Sequence, residues 1–435
     1  MKNATPLREI TKELLNRVAP AEIVVGIPCF NNGETITKVV ETAASGLKQF
    51  FPDQSACIVI ADGGTTMDDT RENALAAVKG SGAHGVVGIY RGLPGKGSAV
   101  RWIFAAATHV NAKAIVLLDS DLRSITPLWI ERLLGPVLKG GYEFVAPLYV
   151  RYKYDGTITN NVAYNMTRCL YGQRIRQPIG GDFALSAELA RLLAGESVWE
   201  TDIARFGIDI WLTCSALVKG ARVCQARLGV KIHDAKDPAA SLEPMFRQVV
   251  RTLFICMEQT EPAWMKTVRS QPTDIWGEPS NDEPEAFSID YEALIANFFL
   301  SWHTLKGAWE SILSPDTFLE LESRVASGPS AFHLTTDLWA KIVFEFAAAF
   351  HCRKTMRNQV VEVFSPLYFA RVASFINRTR NCSNAEAEAV VEEQAQVFEL
   401  RKPYLIHLWK TCDPWCLGAK TSEVEKKKRA VDQPG

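Results

Sequence analysis

The chain has 435 residues, 47% hydrophobic and 22% charged, the profile of a globular protein of two or three domains rather than a disordered or fibrous one. Lys and Arg number 48 against 49 Asp and Glu, a formal charge of −1. That balance argues against a broad phosphate-backbone footprint and so against a nucleic-acid binder, but not against an anionic small ligand held by a few local cations. The amino-terminal half alternates β-branched runs with helical stretches, the pattern of α/β layering. Ile23-Val24-Val25-Gly26-Ile27-Pro28 predicts a first strand, and residues 34–47 have helical spacing. Residues 57–61 predict a second strand ending at Asp62-Gly63-Gly64, residues 68–79 a helix, and residues 85–90 a third strand. Residues 114–118 form a near-continuous apolar run that stops at Asp119, as expected of a central parallel strand covered on both faces.

From about Leu242 the pattern turns helical. Leu242, Met245, Phe246, Val249, Val250, Leu253, Phe254 and Met257 recur at i, i+3, i+4. Residues 268–288, rich in Pro, Gly, Asn and Asp, predict a surface linker. Apolar stripes over residues 291–312, 338–350, 360–376 and 385–400 predict further helices, and Lys426-Lys427-Lys428-Arg429 a solvated tail. No run reaches the roughly 18 apolar residues that span a bilayer. The first twenty residues contain no signal-peptide core, so a cytoplasmic protein is expected. Ten cysteines scattered from Cys29 to Cys416 then read as reduced thiols, mostly core fillers. Cys412 and Cys416 are four apart, with no second pair to complete a zinc set.

Several short segments can carry chemistry. Asp119-Ser120-Asp121 leaves a buried strand with two carboxylates one residue apart, able to share a hard cation and a ribose, or simply to make a turn. Leu93-Pro94-Gly95-Lys96-Gly97 opens a helix; its glycines let backbone approach a phosphate, and Lys96 adds a point charge. It is not a Walker A loop, because Tyr90 stands where that loop needs Gly and Gly97 where it needs a hydroxyl. No G-x-G-x-x-G follows the first strand either. Asp62, at a strand end, is a nucleobase acceptor or a helix cap. Asp209 is an N-cap or a carboxylate aimed into a cleft, and His233 a ligand or a structural histidine. The glycines of Gln177-Pro178-Ile179-Gly180-Gly181-Asp182 permit close backbone approach.

In order, these segments resemble the retaining nucleotide-sugar glycosyltransferases of the GT-A fold, nearest to the mannosylglycerate and glucosyl-3-phosphoglycerate synthases. The residues that carry the likeness are Ile27-Pro28-Cys29-Phe30-Asn31-Asn32-Gly33-Glu34-Thr35-Ile36, residues 62–70, Pro94-Gly95-Lys96-Gly97, Asp119-Ser120-Asp121, residues 177–181, Gly207-Ile208-Asp209 and His233. The resemblance implies a Rossmann-like domain over residues 1–240, a mostly helical carboxyl-terminal domain over 241–420 and a flexible tail over 421–435. It implies that Asp121 and His233 hold Mg²⁺ or Mn²⁺ against the donor diphosphate. Pro28, Phe30, Asn32 and Asp62 would frame the nucleobase, and Lys96, Asp119, Ser120 and Gly180 would meet the rest of the donor. Arg151, Thr159, Gly181 and Lys236 would face the acceptor, and Asp209, Lys96 and Asp119 would serve catalysis. Two positions depart from the pattern: Asn32 replaces a Glu of the phosphoglycerate enzymes, and Asp234-Ala235-Lys236 follows His233 where those enzymes place Tyr or Asn.

The implied reaction is metal-dependent transfer of a hexose from GDP-mannose or UDP-glucose to a small hydroxy acid such as glycerate or 3-phosphoglycerate. A sugar-phosphate nucleotidyltransferase and a non-catalytic nucleotide-sugar-binding scaffold are the rival readings. The helical half caps the acceptor cleft or builds a homo-oligomer; its apolar stripes suit either.

Overall fold

A computed structural model describes residues 6–232 and 238–412. The described chain forms two compact units. One comprises the residues up to Tyr152 with Gln173–Cys256 and Ser270–Ala286; the other comprises Lys153–Gly172, Met257–Arg269 and the residues from Phe287 onward. The units interleave along the chain.

Eight strands make the sheet of the first unit: β1 (Ile23–Cys29), β2 (Ala56–Asp62), β3 (Gly85–Ile89), β4 (Ala114–Leu117), β5 (Phe144–Val150), β6 (Ala184–Ser186), β7 (Val223–Val230) and β8 (Asp274–Trp276). Their order is β3-β2-β1-β4-β6-β5-β7-β8. β6 alone runs antiparallel to its neighbours. β1 and β4 are buried along their whole length, which is why they read as continuous apolar runs. The helices, in chain order, begin with α1 (Glu9–Asn16), α2 (Ile36–Phe50), α3 (Thr70–Ser81), α4 (Lys96–His109) and α5 (Pro127–Gly140). After α6 (Tyr164–Tyr171), which belongs to the second unit, come α7 (Ala187–Ala194), α8 (Ile208–Val218) and α9 (Pro238–Gln259). Gly26 of β1 lets α4 lie against the sheet: a Cβ there would sit 2.3 Å from Ile103 Cγ2. Trp102, fully buried, covers Gly88 of β3 in the same way. This close packing fixes the direction in which α4 presents its first residue, Lys96.

The expected linker over residues 268–288 contains β8, which pairs in parallel with β7 through Cys224, Gln225 and Ala226. Three residues are too few to show an alternating pattern, so the turn-forming composition around them dominates the sequence signal.

The second unit is helical: α6, α10 (Glu261–Trp264), α11 (Tyr291–Ile312), α12 (Pro315–Ala326), α13 (Thr336–Cys352), α14 (Arg357–Thr379) and α15 (Asn384–Thr411). Phe364 lies between Phe346 and Trp339, with ring centroids 4.4 and 5.6 Å away. Trp339 donates to the Asn161 carbonyl at 2.7 Å, so the indole satisfies its polar end while burying the rest. Ser314, Thr335 and Ser383 cap α12, α13 and α15, the last with a capping box to Glu386. The expectation of ten reduced thiols is corrected here. Cys352 and Cys412 form a disulfide with Cα atoms 5.8 Å apart, because α13 and α15 end side by side. Among the described residues no helix is long and apolar enough to cross a membrane.

Candidate active site

Seven of the eight strands run the same way, so their carboxyl ends share one edge of the sheet. Ligands bind at that edge in open α/β sheets. Residues 30–32 follow β1 there, Asp62 ends β2, Tyr90 and Lys96 follow β3, Asp119 to Asp121 follow β4, Arg151 follows β5 and Lys231 follows β7.

At its centre two lysines grip one carboxylate. Lys96 Nζ lies 2.7 Å from Asp119 Oδ1 and 3.1 Å from Asp209 Oδ2. Lys231 Nζ lies 3.0 Å from Asp119 Oδ2 and 2.8 Å from Asp182 Oδ2, and donates to the Gly180 carbonyl at 3.0 Å. Asp182 in turn accepts from the Asp119 backbone N–H at 2.7 Å and from the Tyr149 hydroxyl. The Arg151 guanidinium stands 5.2 Å from the Tyr149 ring centroid. Gly181 makes this packing feasible: at φ 93° its Cβ would fall 2.1 Å from Asp119 Oδ2.

Burial acts against the charge of every member, and the partners decide which way each group moves. For Asp119, burial is overridden by Lys96 and Lys231, which hold its carboxyl far below the usual range. For Lys96, burial is overridden by Asp119 and Asp209, and for Lys231 by Asp182 and Asp119, so both ammonium groups are pushed up. Asp209 and Asp182 are raised, by burial first and then by the Asp119 charge, which together outweigh the lysines. Gly207 occupies the N-cap of α8. Asp209 is therefore not that cap; it turns to Lys96.

The remaining expected residues fall into three groups. On the β1–β2 side, Pro28 is buried in β1 and Phe30 is 54% exposed. Asn32 Oδ1 accepts from the Phe30 N–H at 3.0 Å and the Ser120 hydroxyl at 2.7 Å. Asp62 is fully buried and accepts from Gly64 N–H, the Thr66 hydroxyl and Arg71, so its carboxylate organises the loop after β2. Thr159 belongs to the second unit, where it is buried at the start of a π-helical turn (Thr159–Ala163). His233 and Lys236 lie outside the described residues.

Asp121 differs from its neighbour two residues back. It is partly exposed and makes no hydrogen bond or ion pair among the described residues. Among those residues no group of three or more His, Cys, Asp or Glu is arranged to hold a metal ion. A single free carboxylate still fits Mg²⁺ or Mn²⁺, which take few protein ligands when substrate phosphates supply the rest. Ile232 is tied back to this loop: Arg123 N–H donates to its carbonyl at 2.9 Å, and its own N–H donates to the Ser124 hydroxyl at 2.8 Å.

Sequence reasoning did not single out Lys231, Asp182 or Tyr149. One signal was present: Lys231 interrupts an apolar strand run, and a charge there must be solvated or paired.

The profile of Glycosyl transferase family 2 matches residues 24–187. Glucosyl-3-phosphoglycerate synthase of Mycobacterium tuberculosis is 30% identical over 270 residues, 56% of this chain and 75% of that protein. The enzyme of the same name from Mycolicibacterium smegmatis is 30% identical over 254 residues, 53% of this chain and 76% of that one. A solved structure of the M. tuberculosis enzyme with Mn²⁺, UDP-glucose and phosphoglyceric acid shows 26% identity. It aligns with 59% of this chain and 86% of that one at a TM-score of 0.44. The chain belongs to the glycosyl transferase family 2, as a glycosyltransferase of the GT-A fold related to the glucosyl-3-phosphoglycerate synthases.

Proposed function

We propose that this enzyme moves glucose from UDP-glucose to 3-phosphoglycerate, with retention at the anomeric carbon and with Mg²⁺ or Mn²⁺. The names of the curated relatives support the donor sugar and the acceptor. The observation that carries the reading is the division of labour in Asp119-Ser120-Asp121: the first carboxylate is locked by Lys96 and Lys231, and the second is left open.

Asp121 would hold the cation, with His233 as its second ligand. When bound, the cation supplies Lewis-acid stabilisation of the departing diphosphate. Lys96, at the amino end of α4, places an ammonium and the helix dipole where negative charge grows as the anomeric C–O bond breaks. Asp119 fixes that ammonium and presents a carboxylate edge to the donor's sugar hydroxyls. Phe30 offers an exposed ring to the nucleobase, over the loop that Asp62 holds. Arg151 and Lys236 orient the acid acceptor, with Gly180 and Gly181 giving backbone access. Asp209, its carboxyl raised, positions the incoming hydroxyl; the leaving phosphate takes the proton. This machinery lies within residues 1–240, in a cytoplasmic protein.

The test is a grid of UDP-glucose and GDP-mannose against 3-phosphoglycerate and glycerate, with and without Mn²⁺, read by product mass and anomeric NMR. Metal-dependent release of UDP with a retained glucosyl-phosphoglycerate is expected. Release of pyrophosphate, or no transfer with any pair, overturns the reading.

A further inference from the structure

A cavity of ≈390 Å³ opens in the first unit where α1, α4 and α7 meet, and none of the catalytic residues lines it. Its volume falls among those of small-molecule sites. Lys12 comes from α1, Arg101, Ala105 and His109 from α4, and Arg191 from α7, with Leu7 closing one side. Lys96 opens α4 and His109 closes it, about 20 Å apart along the axis. Five residues after Lys96, Arg101 is rotated by about 140° around the helix. The cavity therefore uses a different face of α4 from the catalytic edge.

Its charge is one-sided. Among the described residues that line it none is acidic, while Lys12, Arg101 and Arg191 are cationic. Lys12 has a carboxylate partner, Glu9 at 2.8 Å. Arg101 and Arg191 form no ion pair among the described residues. Arg101 lies instead over Trp199, 5.5 Å from the ring centroid. Burial pushes its guanidinium below the ordinary value, with Glu200 opposing. Arg101 is half-buried and Arg191 exposed, and an incoming anion would give both guanidinium groups charge-assisted hydrogen bonds. His109 is occupied by Asn16, its Nε2 2.8 Å from Oδ1, which leaves the two arginines as the anion's anchors.

We propose that this cleft is a second ligand site, for a small organic anion whose phosphate or carboxylate is held by Arg101 and Arg191 and whose apolar body lies on Leu7 and Ala105. Phenyl phosphate is the probe, since it combines such a head with such a body; inorganic phosphate and benzoate separate the two possible heads. Calorimetric titration of the full chain is expected to show saturable phenyl phosphate binding, weakened about tenfold in both Arg101→Gln and Arg191→Gln. Independently of any variant, phenyl phosphate is expected to protect Arg101 and Arg191 of the unaltered protein from phenylglyoxal, mapped by peptide mass. Absence of saturable binding overturns the proposal. So does binding that both arginine variants retain, or protection confined to arginines outside the cleft.

Discussion

Lys231, with 4% of its side chain exposed, bridges the Asp119 and Asp182 carboxylates. Replacing it with Met leaves the buried Asp182 carboxyl with only the Tyr149 hydroxyl and a backbone N–H as partners. A loss of about 3 kcal/mol is expected, with Lys231→Arg losing less; urea midpoints for both variants check this, and coincident midpoints for Met and parent contradict it. Asp121 makes the opposite case. It props up nothing among the described residues, so Asp121→Asn is expected to keep the parent's melting temperature and lose at least a hundredfold in Mn²⁺-stimulated transfer. Turnover that still rises with Mn²⁺ removes Asp121 as a ligand. Asp119 and Asp209 move in opposite directions from the same ordinary value of 3.8. A depressed carboxyl stabilises the fold above its unfolded value and loses that contribution as pH falls through the folded one; a raised carboxyl costs stability as pH rises past the unfolded value. The stability difference between parent and Asp119→Asn therefore shrinks as pH drops below about 4, whereas that between parent and Asp209→Asn shifts in favour of the variant as pH rises above about 4. Denaturant midpoints from pH 3 to 7 read both. Asp119, Lys96 and Asp209 were legible because each sits in a short motif. Lys231 and Asp182 were not, because their meaning depends on two strand ends, β7 and β6, that the sheet brings to one edge with only β5 between them.

At the scale of elements, the glycines flanking Lys96 set where α4 begins. A Cβ on Gly97 would lie 1.7 Å from the Ile203 carbonyl oxygen, a backbone atom that cannot rotate aside. Gly97→Ala must displace either the first turn of α4 or the short 3-10 turn Asp202–Ala204 that lies against it. The expected result is a donor KM raised at least tenfold, with far-ultraviolet circular dichroism unchanged; an unaltered KM means that the loop is not a donor contact. The parallel strands β1 to β4 and the helices over residues 291–312, 338–350, 360–376 and 385–400 were legible, since burial on one or both faces writes itself into apolar spacing. β8 was hidden by its turn-rich surroundings. α12 was missed because only Phe318 and Leu321 mark its apolar face, too few for a stripe.

At the scale of the molecule, the chain crosses between its two units several times, an organisation that no composition shift announces. The Cys352–Cys412 bridge belongs wholly to the second unit and joins residues 60 apart. It ties the end of α15 to the end of α13, next to a contact in which His351 stacks on Trp409 at 4.1 Å and Trp409 meets Trp264 edge-on at 5.4 Å. Closing a loop of that length restricts the unfolded chain by about 4 kcal/mol on the chain-entropy account, and measured bridges deliver about 2–4. Thiols stay reduced in the compartment expected from the sequence, so reduced and bridged forms are two states of distinct stability. The bridged protein is expected to melt several degrees higher than the same protein in dithiothreitol. Cys352→Ser should match the reduced form and gain nothing further from reductant. Parent melts that superimpose with and without reductant would mean that the aromatic stack alone holds the end of α15, and that the bridge adds no restraint the packing lacks.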